Sequence, residues 1–232
     1  MKVSFIIPFH NEGERLNDVI DVISKVKNID KIILVDDGSS TFTAKRGISG
    51  ANKFKNDKIE YLKLSRNIGK AGAIWEGLKK TRSDYIFLCD GDVRGLKAEE
   101  IERAIEAIIN NETLDMIILR RMKAKLESQW IRADTIFSGE RILRRSDLMD
   151  VYETNPTGYQ IEIAINTYMI KNKKNVYWMP SSGVNVFKRD KVGLIEGTIK
   201  EQTMHLSMMR YAGFLNYLKQ TLFFCRKEFK KF

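Results

Sequence analysis

The chain has 232 residues, 43% hydrophobic and 30% charged, with three prolines and two well-separated cysteines. This is enough for one large or two small domains with a real core, and it excludes collagenous, low-complexity, disulfide-framework and zinc-stapled classes. The net charge of +10 is local, because residues 119–145 and 191–232 each carry eight basic and three acidic side chains. Such zones suggest anionic partners, phosphates or a membrane surface.

Met1-Lys2 runs straight into the apolar Val3–Ile7 with no secretory leader pattern, and no stretch approaches the ~20 apolar residues that span a bilayer. A reduced, cytoplasmic protein is expected, with any membrane contact peripheral on the cytoplasmic face. Val3–Ile7 predicts a first strand. Leu16, Val19, Ile20, Ile23 and Val26 then recur at helical spacing, with Asn11 and Glu14 placed as a capping box. Strands follow at Ile32–Val35, Ile59–Leu64, Tyr85–Leu88 and Leu114–Leu119, and helices at Gly69–Leu78 and Ala98–Ile109. Strands apolar on both faces and alternating with helices predict an α/β fold, a doubly wound, mostly parallel sheet with helices on both faces. Beyond residue 120 come a basic stretch, a short segment near Phe137–Leu143, a helix over Tyr159–Ile170 and a strand at Val176–Met179. From Lys191 the chain reads as a helical extension, with Tyr211, Phe214, Leu215, Leu218 and Leu222 on one stripe beside basic residues. That composition suits an interfacial helix over 211–232. It equally suits packing on the sheet or against a second copy in a homodimer, or both in turn, with 191–218 packed and only the Phe223–Phe232 end at the interface.

In a doubly wound sheet, ligands sit beyond the carboxyl ends of the strands. Four such ends are polar: Pro8-Phe9-His10-Asn11-Glu12, Asp36-Asp37-Gly38-Ser39-Ser40, Ser65-Arg66-Asn67-Ile68-Gly69-Lys70 and Asp90-Gly91-Asp92. No dinucleotide-binding glycine fingerprint or P-loop is present, and no basic stripe interleaved with aromatics points to nucleic acid. Side chains two apart on an extended segment face the same side, so Asp90 and Asp92 are placed to share one hard cation, Mg²⁺ or Mn²⁺, with a diphosphate as co-ligand. Gly91 lets the backbone approach closely. Asn67 to Gly72 opens a helix whose free N–H groups, with the Lys70 charge, suit an anion. Read blandly, Asp37-Gly38-Ser39 is a turn and Glu12 a first-turn helix acid.

The order and chemistry of these four segments resemble glycosyltransferase family 2 with the GT-A fold. The resemblance is specific over residues 1 to about 110. It implies a nucleoside-diphosphate-sugar donor, with Pro8 and Glu12 beside the nucleoside, Asp37 at the base, Lys70 near the diphosphate, Asp90 and Asp92 as the Asp-x-Asp motif with its divalent metal, and His10, Gly38, Asn67 and Gly91 among the nucleotide-sugar-binding residues. Phe137-Ser138-Gly139-Glu140-Arg141 and Gly158–Ile163 are similar to the acceptor side of polyprenyl-phosphate sugar transferases and, more weakly, of the glucosyl- and mannosyl-3-phosphoglycerate synthases. Both imply a phosphate-bearing acceptor, held by Arg120, Arg121, Lys123, Ser138 and Gly139. The expected division is a GT-A domain over 1–190, with a donor half to 110 and an acceptor half over 111–190, then a basic extension over 191–232. The late metal-binding His of the phosphoglycerate enzymes has no counterpart near 183–188, and His205 reads as a surface residue. A phosphate acceptor is already anionic and needs no general base, whereas a hydroxyl acceptor needs a carboxylate, for which Glu140 and Glu162 are placed. The expected function is metal-dependent glycosyl transfer to a polyprenyl phosphate or other membrane-associated phosphate. The alternatives are a soluble transferase on a small phosphorylated acceptor and an inactive nucleotide-sugar-binding module.

Overall fold

Val3–Phe9 forms β1, buried along its whole length, because it lies mid-sheet between two parallel neighbours. The computed structural model describes residues 1–40, 57–123, 132–184, 203 and 206–230. After β1 come α1 (Arg15–Ile23), β2 (Ile29–Asp36), β3 (Ile59–Lys63), α2 (Gly69–Leu78), β4 (Tyr85–Leu88), α3 (Ala98–Ile109) and β5 (Met116–Arg121). Then follow α4 (Ala133–Ile136), β6 (Arg141–Arg144), α5 (Arg145–Tyr152), α6 (Gln160–Lys171), β7 (Val176–Ser181) and α7 (Phe214–Phe223). The described strands make one sheet in the order β3-β2-β1-β4-β6-β5-β7.

Side-chain alternation along β1 splits the core into two layers. Phe5 and Ile7 face α1 and α3, where Leu16, Ile20, Ile101 and Ile105 pack, and Phe5 stacks on Phe87 of β4 with ring centroids 4.6 Å apart. Ile6 faces the opposite layer, built by Ile74 of α2, Leu148 of α5 and Ile165 of α6. Helices therefore cover both faces, as expected for a GT-A sheet.

The sheet is mixed. β6 runs antiparallel to both neighbours, pairing Tyr85 with Arg144 and Met116 with Leu143. The expected short segment near Phe137–Leu143 thus divides between the end of α4 and this strand, and α5 is an element the sequence reading did not separate. The Asn11/Glu14 capping box does not form. Asn11 has φ 57°, its N–H donates to Ser39 Oγ (2.9 Å), its Oδ1 accepts from Ser40 N–H (2.9 Å), and α1 begins at Arg15 without a side-chain cap. The loop after β1 is tied to the loop after β2 instead.

Residues 206–212 are helical, and α7 follows a turn at Gly213. Gln220 is fully buried and donates to Thr167 Oγ1 (2.9 Å) on α6. The chain past α7 returns to the sheet: Trp178 N–H donates to the Lys227 carbonyl (3.0 Å) and Phe229 N–H to the Trp178 carbonyl (2.9 Å). Phe224 and Cys225 are core residues, which corrects the expectation that everything from Phe223 onward lies at an interface; a strand-like tail on the edge of β7 needs them inside. The expected helix over 191–202, His205, Lys125 and Glu127 lie outside the described residues.

Candidate active site

The chain moves outward from β1 through β2 to β3, then crosses to β4 on the other side of β1. That reversal opens a crevice beyond the ends of β1 and β4, the usual ligand site of an open α/β sheet. Pro8–Glu12 and Asp90–Asp92 flank it. Asp90 follows β4 directly, and a Cβ on Gly91 would lie 2.8 Å from the Cβ of Phe9, so only glycine lets the two loops pack this closely.

On the side expected to hold the donor, the loops hold one another. His10 Nδ1–H donates to the Asp37 carbonyl (2.8 Å), which leaves Nε2 to accept from Asn11 Nδ2–H (2.8 Å). Glu12 accepts from Arg15 Nε (2.9 Å). Gly38 has φ +71°, and a Cβ there would lie 2.5 Å from the Arg66 carbonyl carbon. The Asp37 carboxylate accepts from Ile68 N–H (2.7 Å) and Gly69 N–H (2.9 Å), Asn67 Oδ1 shares the Gly69 N–H (3.1 Å), and Ala71 N–H donates to the Gly158 carbonyl (3.1 Å). These N–H groups are therefore not free, which corrects the expected open anion cradle. Asp37 itself serves as the anion at the positive end of α2. Lys70, projecting from the first turn, remains.

Lys70 sits between two carboxylates, with Nζ donating to Asp90 Oδ1 and to Glu162 Oε1 of α6. Burial disfavours its charge, but Asp90 and then Glu162 outweigh burial and hold the ammonium above the ordinary lysine range. The other Asp90 oxygen faces Arg121 Nη2 of β5 at 3.6 Å. Arg121 in turn donates through Nε to Glu140 Oε2 (3.0 Å), which also accepts from Ser138 Oγ (3.0 Å). Burial is again outweighed, here by Glu140 and Asp90, so Arg121 is held above its usual range. Cys89, beside this cluster, is pushed up by burial and then by Glu140 and Asp90. Lys70, Asp90, Arg121, Glu140 and Glu162 thus form a chain of alternating charge from the donor side of the crevice to the acceptor side. Glu140 is 1% exposed and its Oε1 has no hydrogen-bond partner among the described residues.

Gly139 enters this chain tightly, since any Cβ there would collide with the Asp90 carboxylate. Arg141, fully buried, braces the same loop: Nε donates to the Ser138 carbonyl (3.0 Å), Nη1 to Asn166 Oδ1 (3.0 Å) and Nη2 to the Ile136 carbonyl (3.2 Å). Nothing in the local sequence signals this bracing role, because a charged residue reads as solvent-facing there. Arg120 donates to buried Asp134 (2.6 Å) and lies 4.9 Å from the centroid of the Trp178 ring, while Lys123 is exposed just past β5. Of the proposed acceptor residues, Arg121, Ser138 and Gly139 are brought together with Asp90; Arg120 alternates to the other face of β5, toward Asp134 and Trp178, and Lys123 lies two residues past the strand.

Asp90 and Asp92 supply two hard oxygen donors on one turn, although no group of three or more His, Cys, Asp or Glu among the described residues converges as a metal cage. Mg²⁺ commonly takes only one or two protein carboxylates and completes its shell with substrate phosphate and water, so this donor set fits a divalent ion carried with a diphosphate. Lys70 and Arg121 face Asp90, so a bound ion would share this carboxylate with them.

The sequence profile described as "Glycosyl transferase family 2" matches residues 4–212. The dolichyl-phosphate beta-glucosyltransferase of Dictyostelium discoideum is 26% identical over 229 residues, 95% of this chain and 62% of that protein. The undecaprenyl-phosphate 4-deoxy-4-formamido-L-arabinose transferase of Proteus mirabilis is 33% identical over 135 residues, 56% of this chain and 40% of that protein. The chain thus spans less than two thirds of the length of these relatives. Glucosyl-3-phosphoglycerate synthase of Mycobacterium tuberculosis, crystallised with Mn²⁺, UDP and glucosyl-3-phosphoglycerate, superposes with a TM-score of 0.69 at 18% identity, covering 91% of this chain and 80% of that one, a likeness of fold. With the profile spanning nearly the whole chain and the strand-end segments meeting in one crevice, the chain belongs to glycosyl transferase family 2.

Proposed function

We propose that this chain carries the active site of a metal-dependent glycosyltransferase. It moves a sugar from a nucleoside-diphosphate sugar to a polyprenyl phosphate, with peripheral contact at a membrane. The observation that carries the reading is the buried Lys70–Asp90–Arg121 row at the β1/β4 crevice, where two cations flank the first carboxylate of the Asp-Gly-Asp turn. The relatives whose names specify dolichyl- and undecaprenyl-phosphate support the acceptor class.

Each side chain has a task in this reaction. Asp90 and Asp92 hold Mg²⁺ or Mn²⁺. That ion supplies Lewis-acid neutralisation of the diphosphate when bound. Lys70, kept charged by Asp90 and Glu162, adds a positive charge where the leaving nucleoside diphosphate gains negative charge. Pro8 and Glu12 lie beside the nucleoside and Asp37 at its base, with His10, Gly38 and Asn67 completing the nucleotide-sugar wall. Arg121, with its planar fork, orients the acceptor phosphate beside Ser138 and Gly139, and Arg120 and Lys123 extend the positive edge. The phosphate oxygen attacks the anomeric carbon as the bond to the diphosphate breaks, and no proton has to be removed near neutral pH. Were the acceptor a hydroxyl, Glu140 or Glu162 would accept its proton.

The test is nucleoside-diphosphate release with Mn²⁺ or Mg²⁺ over a panel of UDP- and GDP-sugars, with polyprenyl phosphate, with 3-phosphoglycerate or with neither. Release that requires polyprenyl phosphate is expected. Release with 3-phosphoglycerate alone moves the acceptor to a small soluble phosphate, and nucleotide-sugar binding without any release leaves a binding module.

A further inference from the structure

A second cavity lies away from the catalytic crevice, between the C-terminal end of α6, the start of β7 and the end of α7. It is an open cleft of about 470 Å³, within the range of small-molecule sites. Met169, Val176 and Phe224 form its apolar floor, and Lys173 and Lys219 stand on its rim with Phe223. Phe223 is 67% exposed, an unusual state for a large aromatic side chain beside an apolar cavity. Lys174, also at the cleft, is held by Asp147 (3.0 Å) and Asp115 (3.5 Å), so the rim charges presented outward are those of Lys173 and Lys219. Arg226 adds a third positive group, its guanidinium 5.7 Å from the centroid of the Phe223 ring.

The surface around the cleft continues the same chemistry. α7 exposes Phe214, Leu215, Leu218, Leu222 and Phe223 on ten residues, and no acidic residue occurs from Phe214 to Lys227. Exposed apolar side chains mixed with lysine and arginine and lacking carboxylates match an anionic bilayer interface. A second copy of the chain fits poorly, because a two-fold contact would set Lys219 and Arg226 of one copy against the same positive patch on the other. A cleft with an apolar floor and a lysine rim fits a single amphiphile, its phosphate at the lysines and its hydrocarbon on Met169, Val176 and Phe224.

We infer that the α6–β7–α7 cleft is a binding site for one anionic phospholipid, with Lys173 and Lys219 holding the headgroup and Phe223 and Phe224 lining the acyl chain. This goes beyond the catalytic reading and does not rest on it, since neither the donor nor the acceptor crevice contributes a residue. It converts general attraction to a charged bilayer into one defined docking point.

The probe is dihexanoyl phosphatidylglycerol below its critical micelle concentration, titrated calorimetrically into the full chain. Dihexanoyl phosphatidylcholine and inorganic phosphate are run in parallel. Saturable binding of the phosphatidylglycerol near one equivalent is expected, with phosphate alone and the choline lipid at least about tenfold weaker. The double variant Lys173→Glu/Lys219→Glu is expected to lose about tenfold or more in affinity, and Phe223→Ser a smaller factor. The control Lys63→Glu/Lys97→Glu reverses the same number of exposed charges elsewhere and is expected to bind as the parent does. Each variant is checked for an unchanged melting temperature. No binding of the monomeric lipid, equal loss in the control, or equal affinity for free phosphate overturns the inference. Failure here leaves nucleoside-diphosphate release untouched, so the two readings fall separately.

Discussion

The donor side of the crevice and its acceptor side are built in different ways. On the donor side each site residue comes from a short segment at the end of a parallel strand, and its contacts run largely between backbone and side chain across adjacent loops, as with His10 to the Asp37 carbonyl and Asp37 to the Ile68 and Gly69 N–H groups. On the acceptor side, side chains from β5, the loop before β6, β6 itself and α6 meet through buried charges. The first construction is local and tolerates loss of a functional group without loss of the fold. The second makes function and stability depend on the same atoms.

This contrast can be broken by substitution. The largest effect is expected from Asp92→Ala, which should lower metal-dependent diphosphate release by about a hundredfold or more while the melting temperature stays close to the parent's. A comparable drop in stability would make the donor turn structural. Next comes Arg141→Met, which leaves Asn166 Oδ1 and the Ser138 carbonyl without their donor, while the Ile136 carbonyl keeps Asn166 Nδ2–H (3.1 Å). It should cost about 3 kcal/mol, read as a lower urea midpoint. An unchanged midpoint would separate the acceptor network from the fold. Gly139→Ala should follow, at about 1–3 kcal/mol, because its methyl group drives into the Asp90 carboxylate. Nucleotide binding in the presence of Mn²⁺ should weaken with it, measured by calorimetry.

The last prediction concerns pH. Burial pushes the Cys225 thiol up to about 12. Its folded pKa lies above the unfolded value of about 8.5, so the folded state keeps a proton that the unfolded state has lost. The contribution is fully present below that unfolded value and declines as pH rises toward 12. Thermal midpoints from pH 8 to 11 should therefore fall less steeply in Cys225→Ala than in the parent, and parallel slopes would contradict the buried thiol.

Much of the donor half was legible because its signals are local. The helix over Gly69–Leu78, the strand Tyr85–Leu88 and the helix Ala98–Ile109 fall where apolar spacing and turn glycines put them, and the four polar strand ends do converge. Asn11 misled because a residue suited to capping was drawn instead into a loop-to-loop contact with Ser39 and Ser40. β6 was hidden because Glu140 and Arg141 occupy buried positions in and beside a four-residue strand, and a pattern that equates charge with solvent cannot read a charge neutralised from another element. The pairing of Lys70 with Glu162 spans 92 residues and leaves no trace in either local segment.

The reversed direction of β6 has a consequence for how such a site diverges. Strands running the common way deliver their final residues to the crevice, whereas β6 delivers its beginning, so Ser138-Gly139-Glu140 arrives on a stretch that starts from β5 and is anchored afterwards by pairing on both flanks. Insertions or exchanges between Arg121 and Ser138 can then change which acceptor is admitted without shifting the register of any strand that positions the donor. The limit on such variation is the start of the inverted strand itself, where Gly139 packs on Asp90 and Arg121 faces it, so change is free only away from those contacts.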